Sequence, residues 1–414
     1  MLTHAGLPPG PSSSQLFRRL LLNGSSLPQF LRSAAGQYGD LLYLPFPGRP
    51  ALLVNQPQTV SHLLAVSQPE HAGLLNPALL NQFAPHFGPP AWLPPGLLVD
   101  SSRLYQAVAE SLAGYWPRWD AFASGGGTLN WQKEMERLAV LVVWNILLGS
   151  RTNGLAARIE DLLPPALDFL ATQSRSLFRP EAVLMTPAKI RFRLAASTLQ
   201  LATSQMLAER REAAGSGSDL LSAAIKSGSR DDVLHGGLAW LLAASSSALA
   251  SLLTWSAVLV AQNPSFAPAG MDSERAIMLE TARLYPPAWL VALKILPEQH
   301  LRRLNLPAGV QIMISPYLLQ RRPDMWPEPE CFQPERFGNN QSIQQLGNLP
   351  FGNPGICPGT DAACTAALVD AAAATSAAIR ARYQINLLQK TPVQAYGGYT
   401  LKVHGALPVP MGKV

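Results

Sequence analysis

From Leu238 to Ala261 the chain runs for 24 residues without a charged side chain. A stretch of that length and polarity is either a membrane span or a helix buried through the centre of a domain. The second reading is favoured. No aromatic or basic belt flanks the stretch, it contains Ser245-Ser246-Ser247, and it stands alone in the chain. A helix buried on all sides needs other elements to wrap it. The 414 residues, 48% hydrophobic and only 14% charged, are enough to do so.

The net charge of +6 is scattered, with short pairs at Arg210-Arg211, Arg302-Arg303 and Arg321-Arg322. This pattern lacks the clustered basic face and interleaved aromatics of a nucleic-acid binder, so no nucleic-acid partner is expected. Three cysteines, Cys331, Cys357 and Cys364, form neither a disulfide framework nor a zinc pattern. Met1–Ser14 is polar and rich in Pro and Gly, unlike a signal peptide, and a reducing cytoplasm is the expected location. The sequence has no phosphate loop, no Gly-x-Ser-x-Gly elbow, no dinucleotide fingerprint and no paired histidines for zinc.

In chain order, residues 1–30 read as a loosely ordered lead-in with one short helix. Two apolar runs, 39–46 and 49–55, are separated by Pro47-Gly48 and predict a hairpin, with a helix to follow at 57–65. Residues 69–98 are proline-rich, little charged and apolar, which suits a long loop serving as a pocket wall. A helical pattern fills 101–227, broken at Gly125-Gly126-Gly127 and near Pro180 and Pro187, with a Gly/Ser turn at 214–218. The central helix is expected over 231–262. Strand signals follow at 309–314, 383–388 and 399–404. The fold class is mainly α with small β-sheets, and one domain is expected over 1–414, its core at 280–381.

The stretch Pro350–Gly359 reads as a tight loop that delivers Cys357 to the start of an alanine-rich helix at 362–381. Pro358 suits a first helical turn. Free N–H groups and the helix dipole there favour thiolate over thiol, as an axial haem ligand requires. A buried, inert cysteine is the plainer alternative for the loop alone. Upstream, Glu280-Thr281-Ala282-Arg283 places an acid and a base three apart on one helix, and Pro334-Glu335-Arg336-Phe337 follows.

In this order the segment resembles the cytochrome P450 family of haem-thiolate enzymes, as a divergent, soluble, bacterial-type member. Glu280 and Arg283 match the family's Glu-x-x-Arg helix, and Arg336 matches the arginine that completes a buried structural triad with them. Cys357 matches the proximal iron ligand. Phe351, Gly352 and Gly359 match residues of its loop. Leu284–Trp289, Pro307-Ala308-Gly309 and Ser315-Pro316-Tyr317 match connecting segments, and the resemblance runs from about Tyr38 to Leu401. It implies a prism-shaped helical domain with haem b between the central helix and the cysteine loop.

The departures are specific. Cys357 lies six residues after Phe351, one fewer than is usual in the family. The basic residue that usually precedes the cysteine and pairs with a haem propionate is missing, which leaves Lys294 and Arg103 as the nearest basic candidates. On the central helix the family's acid falls on Ser247 and its alcohol on Ala248, with Ser246 alongside. In the family those two groups deliver protons during oxygen activation. Ser247 can hold a water but cannot supply a proton at neutral pH as a carboxyl relay does, and Ala248 can do neither. The plainer reading of the serine run is hydroxyls bonded back onto their own helix. The linker 265–273 is short on the side where the family docks its electron donor.

The resemblance implies a haem-thiolate oxidoreductase, a monooxygenase in type, that oxidises an apolar small molecule in a biosynthetic pathway without the acid–alcohol pair. It would take electrons from a separate donor protein. One alternative is an isomerase, dehydratase or lyase needing neither dioxygen nor reductant. Another is a non-catalytic partner protein of the same fold.

Overall fold

The computed structural model describes residues 7–18, 26–46, 50–66, 68–69, 77–88, 90, 100–148, 154–175, 185–212, 220–264, 266, 270–294, 310–337, 362–388 and 393–414. The helices are α1 (Ser13–Phe17), α2 (Leu27–Tyr38), α3 (Pro57–Val66), α4 (Pro77–Phe83), α5 (Ser101–Ser124), α6 (Trp131–Leu148), α7 (Leu155–Arg175), α8 (Pro187–Glu212), α9 (Leu220–Lys226), α10 (Asp231–Gln262), α11 (Met271–Leu284), α12 (Pro316–Leu319) and α13 (Ala362–Arg380). The strands are β1 (Leu41–Leu44), β2 (Ala51–Val54), β3 (Gln68–Pro69), β4 (Thr128–Asn130), β5 (Val291–Lys294), β6 (Gln311–Ile314), β7 (Tyr383–Ile385), β8 (Ala395–Gly397), β9 (Leu401–Val403) and β10 (Pro408–Lys413).

The uncharged stretch is the middle of α10. This helix is buried on nearly every face because α6, α8, α11 and α13 pack around it. Among the described residues it is the one helix long and apolar enough to cross a membrane, and 83% of its most apolar window is buried inside the protein. Two contacts show how tight the fit is. Trp255 stacks on Tyr285 with ring centroids 3.7 Å apart. A Cβ at Gly236 would come within 2.1 Å of the Pro85 carbonyl oxygen, so only glycine lets the segment after α4 lie this close.

The expected hairpin is β1–β2, antiparallel, with Leu41 opposite Val54. It extends into a five-stranded sheet of order β1-β2-β6-β5-β3, in which β2 and β6 run parallel. β10 bridges β4 and β7, joining the chain's end to its middle. β8 and β9 form a separate hairpin. It is fastened to α10, because the Leu401 carbonyl accepts from both Ser251 Oγ (3.0 Å) and Trp255 Nε1 (3.1 Å). It is fastened to α6 as well, because Val403 N donates to Gln132 Oε1 (2.6 Å).

The structure differs from the reading of the sequence in a few places. The lead-in does hold a short helix, α1, closed by a Ser12–Gln15 capping box. A second helix, α2, begins inside the lead-in at Leu27, with Pro28 in its first turn where the missing N–H costs little. The long apolar loop contains α4. The closing strands are shorter than expected, and β10 was not anticipated. Pro117 in α5 and Pro164-Pro165 in α7 sit inside helices. The Gly/Ser turn at 214–218 lies outside the described residues.

Candidate active site: a buried ion-pair scaffold beside the central helix

α11 has both acidic and basic residues facing inward. Glu280 and Arg283 are completely buried and joined by a two-bonded fork: Arg283 Nε donates to Glu280 Oε2 (2.7 Å) and Nη2 to Oε1 (2.8 Å). Their three-residue spacing puts them one turn apart on the same helical face. The remaining guanidinium protons reach three backbone carbonyls, those of Gln320 (2.8 Å), Pro329 (2.8 Å) and Cys331 (3.1 Å). Glu280 Oε1 also accepts from Gln333 N at 2.9 Å. Every donor of Arg283 is therefore used, which is the condition under which a buried ion pair is tolerable. The Trp326 ring, 5.1 Å from the Arg283 carbon, covers the guanidinium.

Arg336, in the 3-10 turn Pro334–Phe337, approaches from the other side. Its Nε is 3.7 Å from Glu280 Oε1, and its Nη2 donates to the carbonyls of Pro327 (2.5 Å) and Glu328 (3.2 Å). Together the three residues clamp 320–337, an irregular segment with few backbone hydrogen bonds of its own. That segment leads directly to the stretch bearing Phe351, Gly352, Cys357 and Gly359, all four of which lie outside the described residues.

On α10, Ser246 is buried and Ser247 half-buried, and both hydroxyls turn back to the Ala243 carbonyl, at 3.4 and 2.6 Å. Ala244 and Ala248 are buried small side chains on the same stretch. Ser246 and Ser247 line a cleft of about 30 Å³ between α6, α7, α10 and the β8–β9 hairpin, with Gln132, Glu136, Thr254 and Lys402. Lys402 Nζ lies 2.7 Å from Glu136 Oε1 and 2.5 Å from Asp168 Oδ1. Burial pushes the Glu136 carboxyl above its ordinary range, and Asp168 adds to this while Lys402 opposes it. Burial also works against the Lys402 ammonium, but the two carboxylates outweigh it and hold its pKa above the ordinary value.

Sequence reasoning missed this charged group. Its members come from α6, α7 and β9, and no local pattern joins positions 136, 168 and 402. The one available signal was the lysine in the short strand Leu401–Val403, placed between two inward-facing apolar residues.

Of the two basic candidates for a carboxylated cofactor, Lys294 ends β5 opposite Gln68. Arg103 stands half-buried in the first turn of α5, where its charge helps keep the Asp100 carboxyl below its usual range, after the Ser102 hydrogen bonds. Cys331 is exposed with its carbonyl committed to Arg283, and Cys364 sits within α13. Cys357, the position that the resemblance matches to the iron ligand, lies outside the described residues. The buried alanines of α10 leave its middle free of bulky side chains.

A family model for cytochrome P450 matches residues 271–365, from the first residue of α11 past the cysteine loop. Cyclooctat-9-en-7-ol 5-monooxygenase of Streptomyces melanosporofaciens is 27% identical over 198 residues, 41% of this chain and 43% of that protein. Pentalenene oxygenase of Streptomyces avermitilis is 28% identical over 214 residues, 45% of this chain and 47% of that protein. The matches thus span less than half the length of these relatives. The crystal structure of CYP175A1 from Thermus thermophilus superimposes with a TM-score of 0.65, covering 95% of this chain and 98% of that one at 22% identity, which establishes the shared fold. The Glu-x-x-Arg helix, its arginine partner and the central helix are arranged in that fold, and over residues 271–365 the chain matches the cytochrome P450 family.

Proposed function

We propose that the protein is a haem-thiolate monooxygenase that oxidises an apolar small molecule, with haem b as its cofactor and electrons from a separate donor protein. The observation that carries this reading is the fully satisfied Glu280–Arg283 pair with Arg336 beside it. Such a costly buried network has a use where the segment it clamps must present one side chain in a fixed place, and the next such side chain along the chain is Cys357.

Cys357 would hold the iron, Phe351, Gly352 and Gly359 would shape its loop, and Arg103 and Lys294 are the basic groups for the propionates. The bound haem supplies one-electron and dioxygen chemistry, and thiolate ligation favours O–O cleavage. The chain's own contribution on the other side is α10, whose buried Ala244 and Ala248 offer an apolar, water-poor wall. The two bacterial relatives are named for reactions on cyclooctat-9-en-7-ol and pentalenene. By analogy we assign a substrate of that kind, a cyclic hydrocarbon or its alcohol.

The reduced protein exposed to carbon monoxide provides the test. A thiolate-type red-shifted band, together with oxygenated product from a cyclic alkene in the presence of dioxygen and a reductant, is the expected result. A neutral-ligand band would remove Cys357 from the iron and end the proposal. One observation favours a second reading. Ser247 Oγ is turned onto the Ala243 carbonyl, and Ala248 has no hydroxyl, which suits rearrangement of a hydroperoxide without reductant. Turnover of a hydroperoxide with no electron donor would decide for it.

A further inference from the structure

We propose that Glu136, Lys402 and Asp168 form a proton store opening onto the cleft that Ser246 and Ser247 line, and that Glu136 is the member that gives up its proton toward Ser247. The role in turnover rests on the monooxygenase reading above; the store itself does not.

The count of charges comes first. One ammonium, Lys402 Nζ, sits between two carboxylates, 2.7 Å from Glu136 and 2.5 Å from Asp168. If all three are ionised, the group carries one excess negative charge, so a proton taken up from solvent relieves a like-charge repulsion. Burial decides where that proton rests. The Asp168 side chain is 51% exposed and solvated, whereas that of Glu136 is 14% exposed. The charged form of Glu136 is thus the more costly one, and its raised pKa agrees. Lys133 on α6 also acts on Glu136, more weakly than Lys402. From α10 the cleft is faced by the hydroxyl residues Ser246, Ser247, Ser251 and Thr254 and by Ala250, none of them charged.

Unused hydrogen-bonding capacity points to a water in the cleft. Glu136 Oε1 touches Lys402 but makes no aligned hydrogen bond, and Thr254 Oγ1 is buried with no partner in the protein. Both line a space of about 30 Å³, enough for a water, with polar atoms on several sides. The water accepts from the Glu136 carboxyl and donates to Ser247 Oγ. As it receives that proton, Ser247 swings its own O–H off the Ala243 carbonyl, which it meets at 2.6 Å, and would pass that proton to the acceptor formed in turnover in the reading above, so that Ser247 relays a proton and supplies none of its own. Glu136 is left as a carboxylate and regains a proton from solvent, so one proton enters for each that leaves. A carboxyl on α6 thereby does the work that the family assigns to a carboxyl at position 247 of α10.

The test is infrared difference spectroscopy of the haem-loaded protein across pH, paired with the ratio of product to reductant consumed. A protonated-carboxyl band that titrates above the ordinary carboxylate range is expected, one that vanishes in Glu136→Gln and shifts in frequency in Ser247→Ala. Asp168→Asn, at an exposed position, removes the repulsion and should move the band's titration to lower pH. This second variant keeps the test open if Glu136→Gln does not fold. Product per reductant should fall about tenfold or more in Glu136→Gln and decline in the wild type as pH rises through the Glu136 titration. A carboxyl band that titrates in the ordinary range, or one indifferent to both Ser247→Ala and Asp168→Asn, overturns the proposal. If the band behaves as expected but no reductant-dependent product forms, the store stands and the monooxygenase reading falls.

Discussion

Arg283 and Glu280 meet in a planar fork from which solvent is wholly excluded, at 2.7 and 2.8 Å, while the same guanidinium braces three carbonyls of the 320–331 segment. Lysine in place of Arg283 cannot fill five acceptor directions from one point charge. Arg283→Lys and Glu280→Gln should each destabilise the protein by about 3–5 kcal/mol, read as a fall in the denaturant midpoint. A loss below about 1 kcal/mol would show that the pair contributes little to the fold.

Arg336 should separate folding from cofactor retention. It is 3.7 Å from Glu280 and bonds two carbonyls of the loop it closes, but it is not the centre of the network. Arg336→Ala is expected to cost less stability than Arg283→Lys, yet to lower the haem absorbance per protein severalfold. Full haem content in Arg336→Ala would mean that Glu280 and Arg283 hold the segment without it.

Two glycines should respond oppositely to alanine. At Gly236 the new methyl would meet the Pro85 and His86 carbonyls at 2.1 and 2.6 Å, an overlap expected to cost about 1–3 kcal/mol. At Gly36, within α2, nothing lies within 4 Å, and alanine should stabilise by about 0.5–1 kcal/mol. Thermal denaturation of the two variants side by side gives the comparison.

His235 contributes a pH dependence with a definite sign. It is buried on α10, its Nδ1 is 2.6 Å from Thr203 Oγ1, and burial depresses its pKa below the ordinary 6.5. The unfolded chain therefore binds a proton at higher pH than the folded one does. This contribution is complete above pH 6.5 and is lost as pH falls from there toward the folded value, with a slope of at most about 1.4 kcal/mol per pH unit. In His235→Gln the denaturant midpoint should lose that part of its acid slope. An unchanged slope would assign the acid sensitivity to other groups.

The sequence was most readable where a local pattern had few physical solutions. The absence of charge from 238 to 261 meant either a membrane span or a buried helix, and 83% of the most apolar window of α10 is buried inside the protein. Glu280 and Arg283 were readable because their spacing and the later Arg336 form a pattern that is strong in combination. α2 was missed because its signal, Phe30, Leu31 and Ala34 on one face, follows a proline that also suits a loop. Glu136, Lys402 and Asp168 were unreadable in principle, since folding alone brings these distant positions to one cleft.

The β8–β9 hairpin has two strands of three residues, a unit too small to persist alone in water. Three consecutive residues of β9 are nevertheless anchored elsewhere: Leu401 to α10, Lys402 to α6 and α7, and Val403 to α6. Its opening is therefore coupled to theirs, and amide hydrogens in β9 should exchange on the slow schedule of the central helix rather than on that of a surface ribbon. The wall that this hairpin gives the cleft beside α10 therefore yields only when the middle of the protein yields.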